Sequence, residues 1–252
     1  MIEIKNYSIG FNGKELLAGC NAAFHSGTLT ALIGRNGAGK STLLRSIIGL
    51  ETRYCGDIAV DGVSVKSMSP RERARRMALV ATRRERVPGL TCRQAVELGR
   101  TPYTSWSGAL SEADRMVVDE ALESVGMVSY ASQRIDTLSD GEYQKIMIAR
   151  ALAQDSGILL LDEPTSFLDQ PGRYGLCRLL AGLARERGKC IVFSTHEVDV
   201  AFEICDSIAL IVPPDIKCMS ADSLSESGLM EKYFTTEYVT FDPVRKRIVG
   251  KL

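Results

Sequence analysis

Residues 34–42 read Gly34-Arg35-Asn36-Gly37-Ala38-Gly39-Lys40-Ser41-Thr42, a full match to the pattern G-x-x-x-x-G-K-[ST]. Glycines let successive backbone N–H groups turn inward, and a helix starting near Lys40 adds its positive dipole end, so the segment can cradle phosphates. Lys40 supplies a point charge for the outer phosphates, and the Ser41 hydroxyl is a hard oxygen ligand for Mg²⁺. Asn36, Gly37, Ala38, Gly39 and Thr42 complete the candidate loop. A second chemistry-bearing group lies far downstream, where Ile158-Leu159-Leu160-Leu161 runs into Asp162-Glu163-Pro164. Consecutive side chains on a strand point differently. Asp162 can therefore serve a Mg²⁺ shell while Glu163 polarises a water for attack on a terminal phosphoryl group.

These groups need a strand ahead of the loop and a helix behind it. Leu29-Thr30-Ala31-Leu32-Ile33 has strand chemistry, and Leu43, Leu44, Ile47 and Ile48 share one helix face after Lys40. Residues 2–33 read as short β segments with a turn at Asn12-Gly13-Lys14. Ser69 and Pro70 open a short helix that leads into the apolar strand 77–81. From about 91 to 156 the pattern is mostly helical, with helices over 91–98, 111–125 and 140–153. Strand and helix then alternate again: strands over 157–161, 190–194 and 208–212, and a helix over 172–187. The main body is expected to be α/β with a largely parallel sheet, followed by a short helix and a hairpin over 238–241 and 247–249.

Composition narrows the class. The chain has 252 residues, 31 Lys+Arg against 31 Asp+Glu, and a 45% hydrophobic fraction, which excludes disordered and collagen-like sequences. The balanced charge gives no global drive toward nucleic acid or an anionic membrane. The stretch 16–34 is interrupted by Asn21, His25, Ser26 and three glycines and is not expected to span a bilayer. The first residues, Met1-Ile2-Glu3-Ile4-Lys5, lack the apolar run of an export signal. Seven widely spaced cysteines without a Cys-x-x-Cys pair read as reduced thiols in cytosol. The densest positive segment holds Arg71, Arg73, Arg75, Arg76, Arg83, Arg84 and Arg86; with no aromatic residues interleaved it reads as a solvated helix face, and no nucleic-acid partner is expected.

Between the phosphate loop and the acid pair lies Leu138-Ser139-Asp140-Gly141-Glu142, which opens a helix. In that order the three motifs resemble the ATP-binding-cassette ATPases, whose signature commonly reads Leu-Ser-Gly-Gly-Gln; Asp140 and Glu142 depart from it. The resemblance covers essentially the whole chain. It implies a P-loop NTPase core with a mainly parallel sheet, an N-terminal antiparallel β subdomain and an inserted α-helical subdomain. The corresponding division is one domain over 1–252: a RecA-like core with the β subdomain over 1–90 and 157–219, a helical signature subdomain over 91–156, and a tail over 220–252.

The resemblance also implies roles, residue by residue. Phe11 matches the aromatic that stacks on adenine, with a plain core phenylalanine as the alternative. Ser139, Gly141 and Glu142 match the signature that contacts ATP across a homodimer. Asp169, in Ser166-Phe167-Leu168-Asp169, matches the carboxylate of the loop that reaches across the dimer, or simply caps the next helix. His196 resembles the switch histidine at the γ-phosphate, making Glu163, His196 and Lys40 the catalytic set. Thr82 stands where the family carries a glutamine that touches Mg²⁺ and the lytic water; its hydroxyl is shorter and lacks the amide.

Residues 90–92 and 97–103, with the stretch 237–252, are similar to the subfamily that powers uptake of iron-siderophore complexes, haem and cobalamin. The implied partners are a second copy, an integral-membrane permease docked near Thr82 and residues 91–110, and indirectly an extracytoplasmic substrate-binding protein. The implied place is the cytoplasmic face of the inner membrane. The rival readings are a soluble ATPase of cofactor assembly and an ATP sensor with low turnover.

Overall fold

The computed structural model describes residues 1–11, 13–82, 87–106 and 108–251. Asn12 of the expected turn, and Arg83, Arg84 and Arg86 of the basic run, lie outside the described residues. The chain opens with β1 (Ile2–Phe11), β2 (Lys14–Phe24) and β3 (Leu29–Ile33), then α1 (Lys40–Ile47), β4 (Cys55–Val60), β5 (Val63–Ser64), α2 (Pro70–Arg76) and β6 (Met77–Val80). Three helices follow, α3 (Cys92–Glu97), α4 (Glu112–Ser124) and α5 (Asp140–Ala153). The chain returns to alternation with β7 (Ile158–Asp162), α6 (Gln170–Arg187), β8 (Cys190–Thr195), α7 (Val198–Ile204), β9 (Ser207–Val212) and β10 (Asp215–Met219). It ends in α8 (Ala221–Glu226), α9 (Leu229–Phe234), β11 (Val239–Asp242) and β12 (Arg247–Gly250).

Six strands form the main sheet in the order β10-β9-β3-β8-β7-β6, parallel except for the β9–β10 pair. β3 and β8 are buried at every position, as continuous apolar strands covered on both faces must be. Alternate side chains go to opposite cores: Leu29, Ala31 and Ile33 of β3 join one cluster, Leu32 the other. On the second face lie α1 and a four-stranded antiparallel sheet, β2-β1-β4-β5. The fully buried Tyr7 of β1 bonds the Ser46 hydroxyl of α1 at 2.8 Å, and burial pushes its phenol up to about 12.

The stretch 16–34 supplies most of β2 and all of β3. Two strand pairs escape the sequence pattern. β4 contains Gly56, where a Cβ would stand 2.3 Å from the Asn6 carbonyl, so the close approach to β1 requires glycine inside a strand. β10 is short, with the buried Ile216 between the charged Asp215 and Lys217, and exists through its pairing with β9.

The helices between β6 and β7 start where side chains cap them. Thr91, Ser111 and Ser139 each accept from the N–H three residues on, and Gln94, Asp114 and Glu142 reach back to the cap N–H. Arg100, 8% exposed, pairs with Asp114 at 2.8 Å and donates to the Ala153 carbonyl at 2.8 Å, joining α4 to the end of α5. The described part of the basic run is also committed. Arg71 and Arg75 donate to the Pro102 carbonyl, and Arg73 to that of Gly49. α2 buries none of its residues, and these arginines tether its solvated face to its neighbours.

Arg100→Ala should lower unfolding stability by about 3 kcal/mol in urea titration, because Asp114 is left largely buried and half of its partners are lost. The capping carboxylates give a pH test. Hydrogen bonds from Ser139 hold Glu142 below its usual range, and those from Ser111, then Arg100, hold Asp114 below its own. Folded values below unfolded ones mean stability present above about pH 4.3 and lost as pH falls through the folded values. Glu142→Gln should flatten the stability decline below about pH 4.3 in thermal melts.

Candidate functional site

Gly39 has φ +104°, open to glycine and strained for other residues, and it turns the chain from β3 into α1. α1 therefore begins without a side-chain cap, leaving its first N–H groups directed at the loop 34–39. Lys40 is buried at 6% exposure and donates to the carbonyls of Gly34 at 2.8 Å and Arg35 at 3.4 Å. Burial holds its ammonium below the usual lysine range, opposed by the nearby charges of Glu163 and Asp162. Asn36 and Gly37 are exposed at the loop's tip, whereas Ala38 is buried.

The sheet order carries β7 between β6 and β8, one strand removed from β3. That places the acid pair at the same carboxyl edge as the loop. Asp162 Oδ1 accepts from the Ser41 hydroxyl at 2.9 Å and from the Ser194 hydroxyl at 2.7 Å. These oxygens form a hard donor set suited to a small divalent cation. Glu163 has φ +51°, a left-handed conformation that costs a non-glycine residue about 1 kcal/mol. Its N–H donates to Ser194 Oγ at 2.8 Å, and Oε1 accepts from His196 Nε2 at 2.6 Å. Ser166 Oγ donates to Glu163 Oε2 at 3.3 Å. A carboxylate held this way, beside a lysine and a nest of backbone donors, can orient a water against a bound phosphate.

Ser41, Asp162 and Thr82 line one cleft of about 580 Å³ with Tyr143, Met147 and Arg150 of α5. The Thr82 hydroxyl donates to the Asp162 carbonyl at 2.9 Å, which commits its hydrogen to β7. The signature residues lie outside the lining of this cleft. Ser139 caps α5 with Glu142, and a Cβ at Gly141 would stand 3.2 Å from Leu168 Cδ2, so the signature abuts the segment 166–169. Asp169 caps α6 by accepting from the Gly172 N–H at 3.0 Å, the capping alternative open in the sequence. Phe11 is half-buried against the β-subdomain core, and the Arg53 guanidinium lies 5.2 Å from its ring centroid.

Ser194 is the functional residue that sequence reasoning passed over. It touches both acids, yet a serine inside a buried strand carries no motif; its one signal is its place two residues before His196.

The sequence model described as ABC transporter matches residues 17–166. The petrobactin import ATP-binding protein of Bacillus anthracis is 34% identical over 96% of this chain and 90% of its own length. The iron(3+)-hydroxamate import ATP-binding protein of Bacillus subtilis strain 168 is 35% identical over 79% of this chain and 74% of its own. The dimeric structure of a bacterial ABC transporter cassette superposes with a TM-score of 0.77 at 27% identity, covering 88% of this chain and 99% of that one. With its phosphate loop, acid pair and signature in one α/β fold, the chain belongs to the ABC transporter family as an ATP-binding, ATP-hydrolysing domain.

Proposed function

We propose that the chain is the nucleotide-binding subunit of an importer for iron-siderophore complexes, haem or cobalamin. The observation that carries this is the joint of Ser41, Asp162, Glu163, Ser194 and His196 beside Lys40 at one sheet edge. The loop 34–42 and Lys40 hold the phosphates, and Phe11 offers its ring to the adenine. Ser41 and Asp162 hold Mg²⁺, which when bound offsets phosphate charge. Thr82 lines the same cleft, and its hydroxyl would be the further oxygen there for that ion. Glu163, braced by His196, orients the attacking water, and His196 senses the γ-phosphate.

The chain acts as a homodimer, with Ser139, Gly141 and Glu142 of one copy completing the ATP site of the other and Asp169 at the seam. Support comes from Gly141 lying against Leu168, so that the signature is beside the segment 166–169 within one chain, and from the likeness to a dimeric cassette. The proposed division of the single domain is core and β subdomain over 1–90 and 157–219, helical subdomain over 91–156, and tail over 220–252. Among the described residues no helix is long and apolar enough to cross a membrane. In this reading the chain sits on the cytoplasmic face of the inner membrane by docking on a permease, which receives substrate from an extracytoplasmic binding protein. Two features near Thr82 and residues 91–110 support the docking face: the 580 Å³ cleft, and a hollow of about 460 Å³ lined by Leu98 and Trp106, the latter fully exposed.

Glu163→Gln should reduce ATP turnover at least 100-fold with permease present. It should also accumulate an ATP-bound dimer in size-exclusion chromatography, which Ser139→Arg should prevent. A Glu163→Gln chain that stays monomeric at saturating Mg-ATP sinks the sandwich. Trp106→Ala should reduce recovery of a multi-span partner in pull-downs from detergent-solubilised native membranes by roughly tenfold, as loss of an aromatic anchor does. Recovery of a soluble partner instead would point to an assembly ATPase.

A further inference from the structure

The phosphate loop is gripped from outside by the C-terminal tail. The main-chain N–H of Arg35, second residue of the loop, donates to the Tyr233 hydroxyl at 3.4 Å. Its guanidinium donates to the Tyr233 main-chain carbonyl at 2.5 Å, and Cζ lies 4.9 Å from the centroid of the Tyr233 ring. Arg35 also faces inward. Its carbonyl accepts from the Ala38 N–H at 3.1 Å and from Lys40 at 3.4 Å. One residue thus has its donors and side chain on the tail and its acceptor inside the loop.

The tail end of this joint is itself held. Met230 of α9 is fully buried, and the Phe234 ring meets Tyr233 edge-on at 5.2 Å. Beyond α9, Phe241 is 2% exposed and packs on Phe202 of α7 with centroids 5.2 Å apart. The Thr235 and Thr240 hydroxyls bond at 2.9 Å across the turn into β11. Tyr233 is therefore a fixed post. A loop rich in glycine has many conformations to lose when it closes on phosphates, and a clamp at Arg35 removes part of that loss beforehand.

We propose that Arg35 and Tyr233 are positioning residues through which the tail pre-sets the phosphate loop and so tunes its affinity for ATP. The proposal rests on the ATP-binding reading of the loop. Neither side chain needs to touch the nucleotide; the arginine acts through the loop carbonyl that Lys40 and Ala38 share.

The test is equilibrium titration of the purified full-length chain with trinitrophenyl-ATP and with Mg-ATP in competition. Arg35→Ala should raise Kd about 5-fold, in the range of one charge-assisted hydrogen bond with its cation–π contact, and Tyr233→Ala, which keeps the main-chain carbonyl and loses the ring, about 3-fold. Tyr233→Phe keeps the ring and the carbonyl acceptor and should stay within about 2-fold. The double variant should bind no more weakly than Arg35→Ala alone, because that change already takes the guanidinium away from both the carbonyl and the ring. Additive losses, or alanine variants that bind like wild type while melting as folded proteins, overturn the proposal. If Tyr233→Ala does not fold, Tyr233→Leu, which retains apolar bulk without the ring, takes its place under the same criteria. A wild-type chain that binds neither nucleotide overturns the phosphate-loop reading instead, so the two failures are distinguishable.

Discussion

Asp162 accepts from Ser41 and Ser194 through one carboxylate oxygen and from Thr82 through its main-chain carbonyl. Those partners sit at the start of α1, in β8 and just past β6, so a single residue ties together the ends of elements more than a hundred positions apart in sequence. A carboxylate in that position can accept several hydrogen bonds and still present an oxygen to a cation. The neighbouring Glu163 then has to leave the strand in a left-handed turn, which the N–H bond to Ser194 and the His196 contact hold in place.

The joint depends on strand ends that do not shift. β3, β7 and β8 are parallel and covered on both faces, and their alternate side chains are divided between two separate cores. Sliding any of these strands by one residue would exchange those two sets, a large penalty in burial. The Tyr7–Ser46 hydrogen bond extends the same rigidity to the antiparallel sheet, which carries Phe11 at the end of β1. Rigid edges are what a phosphate site needs, since misplacement by about 1 Å costs around 100-fold in rate.

The helical stretch is held more locally. Its three helices begin in reciprocal capping boxes, and Arg100 joins α4 to the end of α5. Tyr143, Ile146 and Ala149 of α5 also join the core on one face of the main sheet, and the cleft at Thr82 lies between α5 and that sheet's edge. Both Ser139 and Asp169 act as helix caps in the single chain, and a cap residue still has a free hydroxyl lone pair or carboxylate oxygen for a ligand. Capping and nucleotide contact are compatible duties for them.

The sequence by itself determined the phosphate loop, the acid pair and the order of strand and helix. In each case the chemistry is local: glycines with a lysine, carboxylates after an apolar run, Ser/Thr caps before periodic helices. It also marked His196 and the signature through their order along the chain. Ser194 as the common partner of both acids, the commitment of Arg71, Arg73 and Arg75 to main-chain carbonyls, and the grip of Tyr233 on Arg35 were decided by the tertiary structure. So were β4 and β10, whose residues have weak strand character and extend because a neighbouring edge offers unpaired hydrogen-bonding groups. Each of these contacts joins residues with no shared local pattern, and only the packing of one sheet between two cores brings them within hydrogen-bond distance.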